Sequence, residues 1–206
     1  MSTWTFYSAK GTCARATHIA LHEAGAAFNL VLVDFAHAQQ RSPEYLAINA
    51  KGRVPALATP QGVLTETPGL LAFVAQSFPA AGLAPLDDAF AMARLHEFNS
   101  YLASTMHVAH AHGRRASRWS DDAAAQATMA AKVAANMSDC AQYLEGRLDG
   151  PWVLGERYSV CDPYLYTLSG WLAADGVDVA RLPRLMAHRE RMAERPAVQR
   201  MLAEGG

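Results

Sequence analysis

Apolar residues in the first 80 positions follow strand spacing and helix spacing in turn. Residues 4–7 form a short apolar run, and residues 28–33 form a nearly continuous one, which is typical of a strand buried on both faces. Between the two runs, small and apolar residues recur at helical spacing until Gly25, a residue type that commonly ends a helix. This pattern predicts a β-α-β unit.

A helix, two strands and a further helix follow in the same part of the chain. Residues 42–47 favour a short helix, and residues 56–59 and 63–65 predict two strands joined by a Pro-Gln-Gly turn. The next helix has Thr67 as its predicted cap and Pro68 at its first position. The order βαβαββα predicts a thioredoxin-like α/β domain.

The remaining residues have a helical pattern. We place the α/β domain at residues 1–80, a linker rich in proline and small residues at 81–88, and an all-helical domain at 89–206. Residues 90–112 and 121–147 predict two long helices. The chain is therefore expected to hold two domains of different class.

Charge and cysteine usage exclude several kinds of protein. The 18 Lys+Arg and 19 Asp+Glu nearly balance, which argues against nucleic acid or an anionic membrane as a partner. We find no leader pattern and no apolar run of the roughly 18 residues that a membrane helix needs. Three cysteines, Cys13, Cys140 and Cys161, are an odd number without a Cys-x-x-Cys pair. A cytoplasmic protein without a disulfide framework is predicted.

Cys13 is the first candidate for chemistry. It lies between the first strand and the first helix, close in sequence to Lys10 and Arg15. The positive end of the helix dipole and these two cations favour a thiolate, either its own or that of a bound thiol. A small, inert residue at a helix start is the alternative. The hydroxyl candidates in the same loop are Tyr7, Ser8 and Thr12.

Two further segments have candidate binding residues. A proline directly before a strand, as at Val54-Pro55, favours a strand end that presents the Val54 backbone to a ligand, although an ordinary turn explains it as well. At Glu66 and Thr67, a hydroxyl and helix-start N–H groups suit a carboxylate, and the acidic side chain suits an amine. Capping alone explains these two residues about as well.

Taken together, these segments resemble the cytosolic glutathione transferases along essentially the whole chain. The run Cys13-Ala14-Arg15-Ala16-Thr17-His18-Ile19-Ala20-Leu21-His22-Glu23-Ala24-Gly25 is similar to the first loop and helix of the bacterial beta class. The resemblance implies a cis Val54–Pro55 bond, a Val54 backbone that pairs with the cysteinyl unit of glutathione, and γ-glutamyl binding at Glu66 and Thr67.

The chain departs from the beta-class pattern at three places. The loop before Cys13 is one residue longer and contains Lys10. Ala38 stands where the class brings a lysine to glutathione, and Ala50 stands where proline is usual. Arg53 is the candidate to compensate for the missing cation.

The predicted helical domain has a polar cluster that includes Ser104, His107 and His110. The resemblance implies that Ser104 and His107 reach the active site of the partner in a homodimer. It also maps the buried capping-box motif of the family to Ser159 and Asp162. A metal site on His107, His110 and His112 is the alternative, and it lacks carboxylate and cysteine ligands at suitable spacing. We therefore expect no metal.

The resemblance implies a cytoplasmic detoxification enzyme that uses glutathione as its co-substrate. The catalytic candidates are Cys13 and Thr12, which would activate the glutathione thiolate for attack on a small electrophile. Residues 89–206 would shape the electrophile site. Two alternatives are a glutathione-dependent thiol-disulfide oxidoreductase or peroxidase acting through Cys13, and a binding protein of the same fold without activity.

Overall fold

The computed structural model describes residues 4–206, which divide into two units. The first unit comprises the described residues up to Ala93 together with Ala193–Gly206, and the second comprises Arg94–Met192. The last residues of the chain therefore return to the first unit.

A four-stranded mixed sheet forms the centre of the first unit. Its strands are β1 (Trp4–Ser8), β2 (Phe28–Leu32), β3 (Ala56–Thr59) and β4 (Gly62–Thr65). The spatial order is β2-β1-β3-β4, in which β1 runs parallel to β2 and antiparallel to β3, and β3 runs antiparallel to β4. This order and the helices between the strands confirm the predicted thioredoxin-like domain.

The position of β2 in the sheet corrects one expectation. Its nearly continuous apolar run predicts burial on both faces, but β2 is an edge strand, and Leu32 is 46% exposed. The central strand β1 contains the fully buried Phe6 instead. Apolar content alone could not separate an edge strand from a central one, because that depends on the order in which the strands pair.

Three helices precede the second unit: α1 (Ala14–Glu23), α2 (Pro43–Ile48) and α3 (Thr67–Ser77). The helix α4 (Ala89–Tyr101) contains the point at which the chain passes into the second unit. The predicted helix at 90–112 is interrupted by a π-helical turn at Leu102–Met106, after which α5 (His107–Arg114) begins. Such turns are frequent at functional sites.

The remaining helices follow the predicted pattern with shorter segments. The stretch 121–147 divides near Lys132 into two helices, and prolines open the last two helices, at Pro183 and Pro196. These elements are α6 (Ala123–Ala131), α7 (Val133–Glu145), α8 (Cys161–Ser169), α9 (Pro183–Ala193) and α10 (Pro196–Ala203). No helix within residues 4–206 is both long and apolar enough to span a bilayer.

A buried carboxylate joins the parts of the second unit. Asp162 is fully buried and accepts hydrogen bonds from the backbone N–H groups of Ser159 at 2.7 Å and Val153 at 2.8 Å. His188 on α9 lies 3.0 Å from the same carboxylate. Because a buried polar group is costly without partners, these bonds stabilise the Ser159–Asp162 motif, which thereby connects α8, α9 and the loop before them.

Candidate active site

Three of the predicted segments meet at one end of the sheet. In the strand register, Tyr7 at the end of β1 pairs with Ala56 at the start of β3, and Ala56 pairs with Thr65 at the end of β4. The loop with Cys13 follows β1, Val54 and Pro55 precede β3, and Glu66 follows β4. The fold therefore brings together segments that are distant in sequence, such as those of Cys13 and Val54, which are 41 residues apart.

Cys13 occupies the cap position of α1 and is partly buried. Its Sγ lies 3.8 Å from the carbonyl oxygen of Val54, at S–H···O hydrogen-bond distance. The neighbouring Thr12 hydroxyl donates to the carbonyl of Ala9 at 2.7 Å and accepts from the N–H of Ala14 at 3.3 Å. The Thr12 hydroxyl is thus used in the local turn, while the Cys13 sulfur points toward the Val54 backbone.

The loop that leads to Val54 is held by two buried side chains. The carbonyl of Arg53 accepts hydrogen bonds from the Tyr45 hydroxyl at 2.8 Å and from the Asn49 side-chain amide at 2.7 Å. Burial raises the pKa of Tyr45 to about 12, so its phenol remains a donor at neutral pH. The Val54–Pro55 bond is cis, as the resemblance implied. The Arg53 side chain itself is exposed, so it is the backbone of this residue that is fixed.

One glycine in this loop meets a steric requirement. Gly52 has a φ of 58°, and a Cβ there would lie 2.9 Å from the backbone oxygen of Gln40. Any other residue would be strained by both its backbone and its side chain. This position therefore fixes how closely the loop approaches the segment that follows β2.

Glu66 and Thr67 lie at the start of α3, and this helix begins one residue earlier in the chain than predicted. Glu66 occupies the cap position, Thr67 the first and Pro68 the second helical position, which corrects the assignment of Thr67 as the cap. The Glu66 side chain makes no capping hydrogen bond, and its backbone has a φ of 73°. A non-glycine residue held at positive φ costs energy and is characteristic of ligand sites. Glu66 therefore stands at the cap position without using its side chain to cap α3, and its role in binding stays a prediction.

Lys51 is the residue that the sequence analysis missed. Its Nζ donates to the Thr65 hydroxyl at 2.7 Å and also binds the Glu66 carboxylate. The missing cation was assigned to Arg53, two residues further along. The antiparallel register of the predicted hairpin contained the signal, because the residues before β3 must lie beside the end of β4.

In the second unit, Ser104 and His107 are close in sequence but have different neighbours. The Ser104 hydroxyl lies in the π-helical turn and donates to the carbonyl of Ser100 at 2.8 Å. His107 begins α5, with its Nε2 3.3 Å from the Arg115 guanidinium and its ring 5.2 Å from that of Trp171. Their predicted role in a partner's active site stays a prediction.

The histidines of α5 do not converge on a common point. His110 lies 2.7 Å from the Asp175 carboxylate, and the His112 ring packs 4.4 Å from Trp119. Within the part of the chain that the structure describes, the one group of three or more residues suited to a metal lies elsewhere, at His18, His22 and Glu204. The metal hypothesis for His107, His110 and His112 thus loses its geometric basis.

The other two cysteines lie in the apolar interior of the second unit. Cys140 is 5% exposed and Cys161 is fully buried, with its Sγ 3.5 Å from the Leu95 carbonyl. Burial raises the pKa of the Cys161 thiol well above its usual value. A buried thiol with a raised pKa is a poor nucleophile, so Cys161 fits a packing role, and the burial of Cys140 fits the same role.

Comparison with known proteins gives consistent matches along the chain. Residues 2–76 match the family model described as "Glutathione S-transferase, N-terminal domain", and residues 101–196 match "Glutathione S-transferase, C-terminal domain". A curated relative, glutathione S-transferase GstA of Escherichia coli O157:H7, is 31% identical over 199 residues, which are 95% of this chain and 96% of the relative.

Solved structures agree with this result. A glutathione transferase homologue from Sulfitobacter with bound glutathione is 45% identical, with a TM-score of 0.96 over 100% of this chain and 99% of that one. A bacterial beta class glutathione S-transferase from Sphingomonas chungbukensis is 33% identical, with a TM-score of 0.84 over 98% of each chain. Both similarities extend over both units.

Proposed function

Because this chain belongs to the glutathione S-transferase family, we propose that it binds glutathione in its first unit and activates the glutathione thiol for attack on a small electrophile. The observation that supports this most strongly is the strand register that joins the Cys13 loop, the Val54 segment and the Glu66 turn at one sheet end. These three segments offer separate groups for the sulfur, the peptide backbone and the charged end of one extended tripeptide.

In the proposed binding mode, glutathione lies extended along the Val54 backbone. Its amino group would be held by the Glu66 carboxylate, and its α-carboxylate by the Thr67 hydroxyl and the N–H groups at the start of α3. Lys51 already contacts Glu66, so the amine would share this carboxylate with a resident cation. Lys51 would also supply positive charge for a carboxylate of glutathione, and the Arg53 side chain, in the loop before Val54, would supply a second positive charge.

The proposed chemistry is nucleophilic addition or substitution by sulfur. The sulfur would lie at the start of α1, where the helix dipole and the Cys13 thiol stabilise a thiolate relative to the thiol. Thr12 would contribute only if its hydroxyl turned from the Ala9 carbonyl to the glutathione sulfur. The thiol proton passes to solvent, the sulfur electron pair forms the new S–C bond, and in a substitution the leaving group departs with its own electron pair. The chain would thereby contribute to detoxification of reactive carbon compounds in the cytoplasm.

The position of Cys13 favours a second activity. Its sulfur faces the Val54 carbonyl, beside the backbone proposed to hold the cysteinyl unit of glutathione. A Cys13 thiolate could attack the glutathione sulfur of a mixed disulfide, forming a Cys13–glutathione disulfide and releasing the other thiol. A second glutathione thiolate would then release oxidised glutathione and restore Cys13.

Calorimetric titration with glutathione and a conjugation assay with an aryl halide test the proposed function. We expect saturable binding with one glutathione per chain and conjugation that depends on glutathione concentration. Absence of binding at millimolar glutathione would refute the proposal. Binding without turnover of aryl halides, peroxides or disulfides would instead favour the binding protein without activity.

We further propose that the protein is a homodimer. Large apolar side chains are exposed in the first unit, including Val63 at 44%, Leu64 at 39% and Phe90 at 76%. Burial of such residues against a second copy would stabilise a dimer and let Ser104 and His107 serve the partner's site. Light scattering is expected to give about twice the chain mass of 22.2 kDa. A mass of one chain would contradict the role of His107 in a partner's site.

A further inference from the structure

Two helices of the first unit bring together two imidazoles and a carboxylate. His18 and His22 lie one turn apart on α1, and Glu204 directly follows α10. The Glu204 Oε2 atom is 2.7 Å from Nε2 of His18 and 2.9 Å from Nε2 of His22. We call these three residues the α1–α10 cluster. None of them belongs to the glutathione site proposed above.

The donor atoms of this cluster suit a zinc-class cation. Two imidazole nitrogens and one carboxylate oxygen form a common zinc donor set, which leaves a fourth position open. The three donor atoms all lie within 4.8 Å of one another. Zinc bonds of about 2.0–2.1 Å place tetrahedral donors about 3.3 Å apart. The distances from Glu204 Oε2 to the two Nε2 atoms would have to lengthen by about half an ångström to reach this spacing.

Solvent reaches the cluster from one side. His18 is fully buried, whereas the His22 side chain is 11% and the Glu204 side chain 42% exposed. His22 and Glu204 line an open depression together with Phe28 and Arg200. A cation can enter there with a bound water. Because two of the three donors are imidazole nitrogens, the cluster favours zinc-class metals over calcium or magnesium, which prefer oxygen ligands.

We propose that His18, His22 and Glu204 bind a zinc-class divalent cation through the two Nε2 atoms and a carboxylate oxygen, with water as the fourth ligand. Metal binding moves the ring hydrogen of each histidine to Nδ1. His18 Nδ1 is buried without a hydrogen-bond partner, so the orienting bond that strengthens many zinc sites is missing there. We therefore expect micromolar rather than nanomolar affinity.

The bound cation would link the end of the chain to α1. Glu23, the last residue of α1 and the neighbour of His22, already accepts two hydrogen bonds from the guanidinium of Arg195, which directly precedes α10, at 2.5 and 2.8 Å. A metal in the α1–α10 cluster would add a second link between the same two helices. We therefore expect the cation to raise the stability of the first unit by binding the folded state only.

Cobalt titration of chelator-treated protein tests the proposal. The Cys13→Ser variant is used without glutathione, so that neither the Cys13 thiol nor the glutathione thiol competes for the metal. We expect the visible absorption of tetrahedral cobalt to saturate at one ion per chain, and zinc to raise the melting temperature. His22→Gln keeps an N–H donor for Glu204 but removes a ligand, and it should weaken cobalt binding by about tenfold or more.

His96→Gln is the matched control, because His96 is exposed on α4 outside the cluster. This variant should bind cobalt like its parent. Glu204→Gln supplies an independent test at a more exposed ligand, and should weaken binding as His22→Gln does. Absence of a saturable cobalt spectrum in the parent protein would overturn the proposal. Equal cobalt affinity in the parent and both cluster variants would overturn it as well.

Discussion

The Cys13→Ala variant is expected to lose all measurable reduction of glutathione mixed disulfides while it keeps part of its conjugation activity. The two proposed reactions use this residue differently. In disulfide exchange the Cys13 sulfur forms the covalent intermediate, so nothing in an alanine side chain can replace it. In conjugation Cys13 supplies at most a weak S–H donor near the thiolate, and loss of about 1 kcal/mol of hydrogen bonding lowers the rate by less than about tenfold.

Two further variants make this result specific. Cys13→Ser keeps a hydroxyl donor, and should conjugate better than Cys13→Ala while remaining inactive as a reductase. Cys140→Ala removes a buried thiol of the second unit and should leave both activities in place. Assays with a glutathione mixed disulfide and with an aryl halide measure the two reactions on the same preparations. Undiminished disulfide reduction by Cys13→Ala would show that Cys13 is not the nucleophile.

Local sequence patterns predicted most of the helices and strands, but not how these elements pack against one another. Gly25, at a φ of 65°, follows α1 as the helix-end pattern required, and the hairpin of β3 and β4 lies where its turn residues indicated. The exposed edge position of β2 and the π-helical turn at Leu102–Met106 have no local signature here. Both arise from tertiary packing, which overrides spacing and propensity.

In the candidate site and the α1–α10 cluster, some residues could likewise be predicted from local sequence and others could not. Cys13 and Glu66 stand at helix starts, and this position in the chain is enough to make them candidates. Lys51 was missed because its contact with Glu66 depends on strand register. Glu204 was missed because 182 residues separate it from its contact His22. Contacts of this range follow from the packing of α1 against α10, which no local pattern encodes.

Glu66 is expected to be a residue at which stability and binding oppose each other. Its φ of 73° costs about 1–3 kcal/mol in a residue with a side chain. Glu66→Gly removes this strain, while the added freedom of glycine in the unfolded chain costs roughly 1 kcal/mol, and loss of the exposed pair with Lys51 costs about 0–1 kcal/mol. These contributions sum to between a loss of about 1 and a gain of about 2 kcal/mol, so we expect an unfolding free energy at or slightly above that of the parent.

Glutathione affinity should respond in the opposite way. Glu66→Gln keeps the shape of the side chain but replaces a charge-assisted bond to the glutathione amine by a neutral one, which should raise the KM for glutathione by about tenfold. Glu66→Gly removes the side chain and its bond to the amine altogether, and should raise the KM further.

Glu190→Gly is the matched control, because Glu190 is exposed inside α9 at ordinary helical geometry. That variant should lose about 1 kcal/mol of stability and keep its KM. Urea unfolding and glutathione titration of the three variants separate the two effects. A Glu66→Gly protein as destabilised as Glu190→Gly, with an unchanged KM, would remove Glu66 from the proposed site and leave its backbone conformation without a functional explanation.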